Sequence, residues 1–144
     1  MKRIKLLAIA ALTLCLFALS SCEKGFFPLY PEDLVGTRWE LPYAVDGGYK
    51  QYFMWTFTSI TEVEFEKHTE VDKDATRESP VTYKVMGTFS YKNLKDTFNV
   101  KFNQSITGAE EDVPFEATGN FLVNSMRVKL GTLEKAVIFF KVRE

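Results

Sequence analysis

From Gly36 onward, apolar and polar residues alternate with a period of two, the spacing of strands buried on one face. In Gln51-Tyr52-Phe53-Met54-Trp55-Thr56-Phe57, the alternation sets Phe53, Trp55 and Phe57 on one face and Tyr52, Met54 and Thr56 on the other. Glu62 to Glu66 interleaves Val63 and Phe65 with acids. Val81, Tyr83, Val85, Gly87 and Phe89 share a face, as do Phe98, Val100 and Phe102. Val113, Phe115 and Ala117 repeat the pattern across Glu116, and Met126, Val128 and Leu130 across Arg127 and Lys129. Ala136 to Val142 is apolar on both faces until Lys141. With Thr37 to Leu41, this predicts about eight short strands and no helix between them.

The links are brief. Asp46-Gly47-Gly48 carries a hairpin-turn signal. Ser59, Asn93-Leu94 and Asn120 mark further turns, while Val71 to Pro80 and Gln104 to Asp112 are the two long polar loops. Sequential strands on short links pair as neighbours. The expectation is therefore a single all-β domain, an antiparallel eight-stranded up-and-down barrel over residues 36–144. Closure removes both sheet edges. It would pair Arg38–Leu41 with Val137–Val142, with Phe26-Phe27 covering the outer face of that last strand. Before the barrel, Pro31 to Val35 reads as one helical turn ended by Gly36.

The first 21 residues follow a different rule. Lys2, Arg3 and Lys5 precede an apolar run from Ile4 to Leu19, then Ser20-Ser21-Cys22. A basic start, a short apolar stretch and small residues before a cut make a secretory signal peptide. The run is shorter than the roughly 20 residues that span a bilayer. Leu19-Ser20-Ser21-Cys22 resembles a bacterial lipobox. That resemblance implies cleavage before Cys22 and acylation, including palmitate-type chains, of the Cys22 thiol and the new amino terminus. Residues 22–35 then form an acylated tether, and the chain is expected in the cell envelope on the outer membrane, attached to the membrane through its lipid.

Composition narrows the chemistry. Of the two cysteines, Cys15 leaves with the signal and Cys22 carries lipid, so the domain has no thiol for a disulfide, a metal site or a nucleophile. Eighteen Lys and Arg, less the three in residues 1–21, leave fifteen against nineteen acids, a net charge of −4. That balance argues against nucleic acid or anionic lipid as a partner, since those need clustered Lys and Arg. His68, the one histidine, reads as a solvated strand end without a catalytic role. Asp72, Asp74, Thr76 and Glu78 alternate in a loop, but lack the central Gly and closing Glu of an EF-hand. Glu110, Glu111 and Asp112 form a second acidic group; both read as solvated loops, with no metal and no cofactor.

Aromatic residues reach 15%, including 13 Phe. An eight-stranded barrel is just wide enough to be filled by side chains or to hold one small ligand. Phe53, Trp55, Phe57, Phe65, Tyr83, Phe98, Phe102 and Phe115 are the candidate lining. Tyr43, Tyr49 and Tyr52, around the Gly47-Gly48 turn, read as exposed rings suited to a sugar or a protein.

The stretch Asp33-Leu34-Val35-Gly36-Thr37-Arg38-Trp39-Glu40-Leu41, with Gly87-Thr88-Phe89-Ser90-Tyr91 later, resembles the lipocalin-like lipoproteins of Bacteroidetes. In that family a Gly and a Trp open the first strand of an eight-stranded barrel. The resemblance implies non-enzymatic binding of a small apolar or amphiphilic ligand. The competing reading is an envelope protein-interaction or glycan-binding module that uses rim loops around a filled barrel.

Overall fold

The computed structural model describes residues 25–46, 49–93, 96–102, 115–131 and 134–144. Eight strands follow one another: β1 Arg38–Asp46, β2 Tyr49–Phe57, β3 Glu62–Glu70, β4 Val81–Ser90, β5 Phe98–Phe102, β6 Phe115–Leu122, β7 Ser125–Leu130 and β8 Val137–Lys141. Each pairs antiparallel with the next, and the sheet closes into a barrel. Closure runs through Trp39 opposite Lys141 and Glu40 opposite Phe140, and the Val142 N–H donates to the Arg38 carbonyl at 2.8 Å. The apolar last strand thus has a partner on each side, as its two apolar faces predict.

Most strand cores fall where the alternation puts them, and the ends differ for physical reasons. The structure continues β1 through Pro42, beyond the expected Leu41. Pro42 has no N–H for a ladder, and the β1–β2 register shifts between Leu41 and Ala44, where proline is tolerated. Asn120 is not at a turn but inside β6, opposite Arg127. The turn comes at Val123-Asn124, where Asn124 takes the left-handed conformation with φ 55°, open to asparagine at low cost. β6 can run through Gly119 because it crosses Phe98 there. A Cβ at Gly119 would strike the Phe98 ring and the Arg127 carbonyl. Gly47, Gly48, Leu94, Val113 and the 104–112 loop lie outside the described residues.

The ends of β2 and β6 fall at one end of the barrel, together with residues 25–37, and the 71–80 segment leaves β3 at the other. At the first end the leader closes the barrel. Phe26 exchanges hydrogen bonds with Asn124: its N–H donates to Oδ1 at 2.7 Å and its carbonyl accepts the Asn124 N–H at 2.8 Å. The Tyr91 hydroxyl donates to the Pro28 carbonyl at 3.0 Å. A 3₁₀ turn at Pro31–Leu34 buries Leu34, and Gly36 ends it with φ 82°. Asp33 accepts the N–H groups of Leu29 and Tyr30.

Phe26 and Phe27 therefore pack against the barrel core and not on the outer face of the last strand. Phe26 meets Trp39 at 6.0 Å between ring centroids, while Phe140 on the outside of β8 stays 48% exposed. The reason is geometric. The barrel end offers an aromatic floor of Trp39, Phe121 and Tyr91 on which further rings can pack edge-on.

Candidate binding site at the open end of the barrel

Seen along β2, the inward residues form levels. Phe57 belongs to the closed end, in contact with Phe89 at 4.7 Å and Phe121 at 6.2 Å. Trp55 is at mid-height, against Phe139 at 5.2 Å and Phe102 at 5.8 Å. Phe53 stands toward the open end, against Phe65 at 5.5 Å. The eight candidate lining residues divide accordingly. Trp55, Phe57, Phe65, Phe98 and Phe102 are at most 1% exposed. Phe53, Tyr83 and Phe115 are partly buried against the same core. All eight point inward; the first five fill the lower barrel with ring-on-ring contacts, and the last three form an accessible apolar collar with Leu41 and Val137.

One polar atom in this interior is unsatisfied. The Trp55 indole N–H is buried and has no hydrogen-bond acceptor among the described residues. An orphaned buried donor costs about 1–3 kcal/mol. Trp39 shows the contrast, since its indole donates to the Thr37 hydroxyl at 2.9 Å. Trp55 sits two residues below Phe53 on the same face, directly opposite Phe65.

The collar also holds a charge. Opposed residues of an antiparallel ladder share a face. Lys67 opposes Phe53 on β2 and Tyr83 on β4, so it projects from the inward face. Lys67 is not among the candidate lining residues, because the alternation of acids with apolar residues ends at Glu66, although one further step of two beyond Val63 and Phe65 reaches it.

The outward face of β2 differs from the expectation too. Tyr52 is not an exposed ring but only 4% exposed, and it forms a second small core with Met54, Ala75 and Val142. The segment between β3 and β4 causes this by folding back over the outside of β1 and β2. Ion pairs hold it there, Arg77 to Glu40 at 3.1 Å and Lys50 to Asp74. His68 is likewise buried, at 3% exposed, and not at a solvated strand end. Its Nδ1–H donates to the Ser79 carbonyl at 2.8 Å, its Nε2 stands 3.4 Å from Glu66, and its ring meets Tyr52 edge-on. A largely polar loop thus covers apolar surface with Ala75 and the backbone around Ser79. The side chains of Tyr43 and Tyr49 lie outside the described residues, as do Glu110, Glu111 and Asp112.

Beside this clasp is an open hollow of about 510 Å³ lined by Glu40, Tyr52, Ala75, Thr76, Arg77 and Glu78. The Tyr52 hydroxyl donates to Glu40. Burial, reinforced by the Glu40 carboxylate, pushes that hydroxyl well above the ordinary tyrosine range. A raised acid favours the folded state only while the unfolded chain would also keep its proton, up to about pH 10. Stability should hold below that point and fall as pH climbs beyond it. Tyr52→Phe is expected to cost about 1 kcal/mol at pH 7 from the lost hydrogen bond. The gap to wild type should narrow above pH 10. Urea unfolding at pH 7, 9 and 10.5 checks this; a gap independent of pH would refute the assignment.

Comparison of the chain with protein-family models, with curated proteins and with solved structures finds no match. The class that the fold defines is a closed eight-stranded antiparallel up-and-down barrel, sealed at one end by its own leader and lined by aromatics at the other.

Proposed function

We propose that this chain is a lipid-anchored envelope lipoprotein of the lipocalin-like Bacteroidetes kind, acylated at Cys22. In this reading it is a non-enzymatic module whose open barrel end binds a small apolar or amphiphilic ligand. The observation that carries the binding reading is the buried indole N–H of Trp55, without an acceptor among the described residues, beneath the partly buried collar of Phe53, Tyr83 and Phe115. Buried donors in proteins nearly always have a partner, and ligand sites pair apolar walls with a few placed polar groups. The ligand covers the collar, because the lower barrel is already packed by Trp55, Phe65 and Phe102.

Native mass spectrometry of the protein, extracted from cells in a mild detergent, tests the reading. A co-purifying small molecule is expected, and it should be lost or weakened in Phe53→Ala and Phe115→Ala. Wild type free of any adduct, with no uptake from a mixed extract of cell lipids, would count against it.

A second reading draws on the outer hollow between Arg77, Glu78 and Glu40, which offers both charge signs beside a buried ring. It suits a protein or glycan partner held on the wall. Loss of partner capture by Arg77→Ala, with ligand uptake at the open end intact, would favour it.

A further inference from the structure

The closed end of the barrel carries a group of large apolar side chains on its outer surface. Leu29, Tyr30 and Val35 come from the leader, Ile60 from the turn after β2, and Leu122 and Val123 from the corner between β6 and β7. Their exposures run from 42% to 61%. Backbone contacts bring these segments to one end. The Gly36 N–H, next to Val35, donates at 2.8 Å to the carbonyl of Phe57, three positions before Ile60. Phe26 exchanges hydrogen bonds with Asn124, and Gly25 lies against the Val123 side chain. Tyr91 holds the Pro28 carbonyl, and Asp33 accepts the N–H groups of Leu29 and Tyr30. The exposed residues are therefore braced, with Phe26, Trp39 and Phe121 packed beneath them.

Single exposed apolar side chains are ordinary, but several on one face mark a surface that leaves water for a partner or a membrane. Segments 25–37, 58–61 and 122–124 contain no Lys or Arg, and Glu32 and Asp33 add negative charge. Such a face has no means of attracting an anionic surface. It offers apolar area and the Tyr30 phenol, a ring suited to the headgroup boundary because one end is apolar and the other wet. The chain before Gly25 favours lipid over protein as the occupant. Cys22 stands three positions earlier, so acyl chains on it would enter a bilayer within about 10 Å of Gly25 and its neighbour Val123.

We infer that the closed end is a second, non-covalent attachment to the membrane, with Leu29, Ile60 and Val123 seated at the headgroup boundary of a zwitterionic bilayer. This rests on acylation of Cys22 and specifies how the domain sits once its lipid is inserted. A lipid at the terminus alone leaves the domain free to swing on its tether, whereas apolar contact across this face fixes its tilt.

The acylated protein in phosphatidylcholine nanodiscs tests it, with a fluorophore on an added cysteine and a nitroxide on the lipid acyl chain as quencher. With Cys15 cleaved off and Cys22 acylated, the added thiol is the single one in the chain. Labels at Ile60→Cys and Val123→Cys are expected to shift to the blue and to be quenched. A label at Val81→Cys, exposed at the other end of β4, should stay unquenched. Quenching should persist from about 0.1 to 1 M salt, since burial and not charge supplies the contact. Leu29→Asp with Ile60→Asp should bring the label at Val123→Cys down to the Val81→Cys level, while Leu29→Met with Ile60→Met should keep its quenching. Acylated protein whose labels at positions 60 and 123 match the one at 81 would overturn the inference, leave the lipoprotein reading standing and turn the face over to a protein partner. So would quenching that survives both acidic substitutions, the result expected of tethering alone. Protein that carries no lipid and stays outside the nanodiscs would overturn both.

Discussion

Phe57→Ala is expected to destabilise the barrel by about 3–5 kcal/mol, the usual range for truncating a buried phenylalanine. Phe57 is fully buried, and its ring is wedged between Phe89 and Phe121 at the closed end. Its backbone is fixed as well: the Phe57 N–H donates to Thr37 and its carbonyl accepts from Gly36, so β2 cannot slide to fill the void. The leader packs on the same end and should loosen with it. Chemical denaturation gives the number. A loss below about 1 kcal/mol would mean that the end collapses around the gap, contrary to the rigid floor described here. Phe53→Ala is a useful control, since a partly buried collar ring should cost clearly less.

Cys22→Ala is expected to abolish acylation, and with it durable membrane attachment. Two or three acyl chains hold a protein durably on a bilayer. The variant should accumulate as an uncleaved precursor, with no mass increment from lipid. Carbonate washing of membranes and intact-mass measurement check it together. Normal processing and unchanged membrane partition would sink the lipoprotein reading. Unlike Phe57→Ala, this change should leave the unfolding transition of the barrel domain where it was.

Alternation made the barrel legible because each strand has one buried face, and a register slip would turn that whole set of side chains outward. Phe53, Trp55 and Phe57 point inward together for this reason. Closure was legible from β8, whose two apolar faces disfavour a free edge. What period two does not carry is burial imposed from outside the sheet. Tyr52 and Met54 occupy outward positions and are nevertheless buried, because the 71–80 segment lies over them. That segment is polar in sequence, and its folded-back path rests on Arg77–Glu40 and Lys50–Asp74, pairs far apart along the chain. His68 is buried for the same cause. Its burial comes from Ser79, eleven residues on. At the open end, alternation identified the aromatic lining but did not grade it. Depth along the barrel axis separates the filled level of Trp55 from the collar of Phe53, and that depends on how eight strands stagger.

The leader gives the molecule a head and a foot. Gly25 lies against the Val123 side chain at the β6–β7 turn, on the closed end, with Val123 and Leu122 exposed beside it. Only Glu23 and Lys24 separate Gly25 from Cys22, a reach of roughly 10 Å. With Cys22 acylated, the barrel stands on its sealed end, with Val123 and Leu122 turned toward the lipid. The barrel end at Phe53, Tyr83 and Phe115 would then face the aqueous side. A ligand would arrive from solution, or from a neighbouring carrier, and not by lateral diffusion out of the membrane that holds the protein.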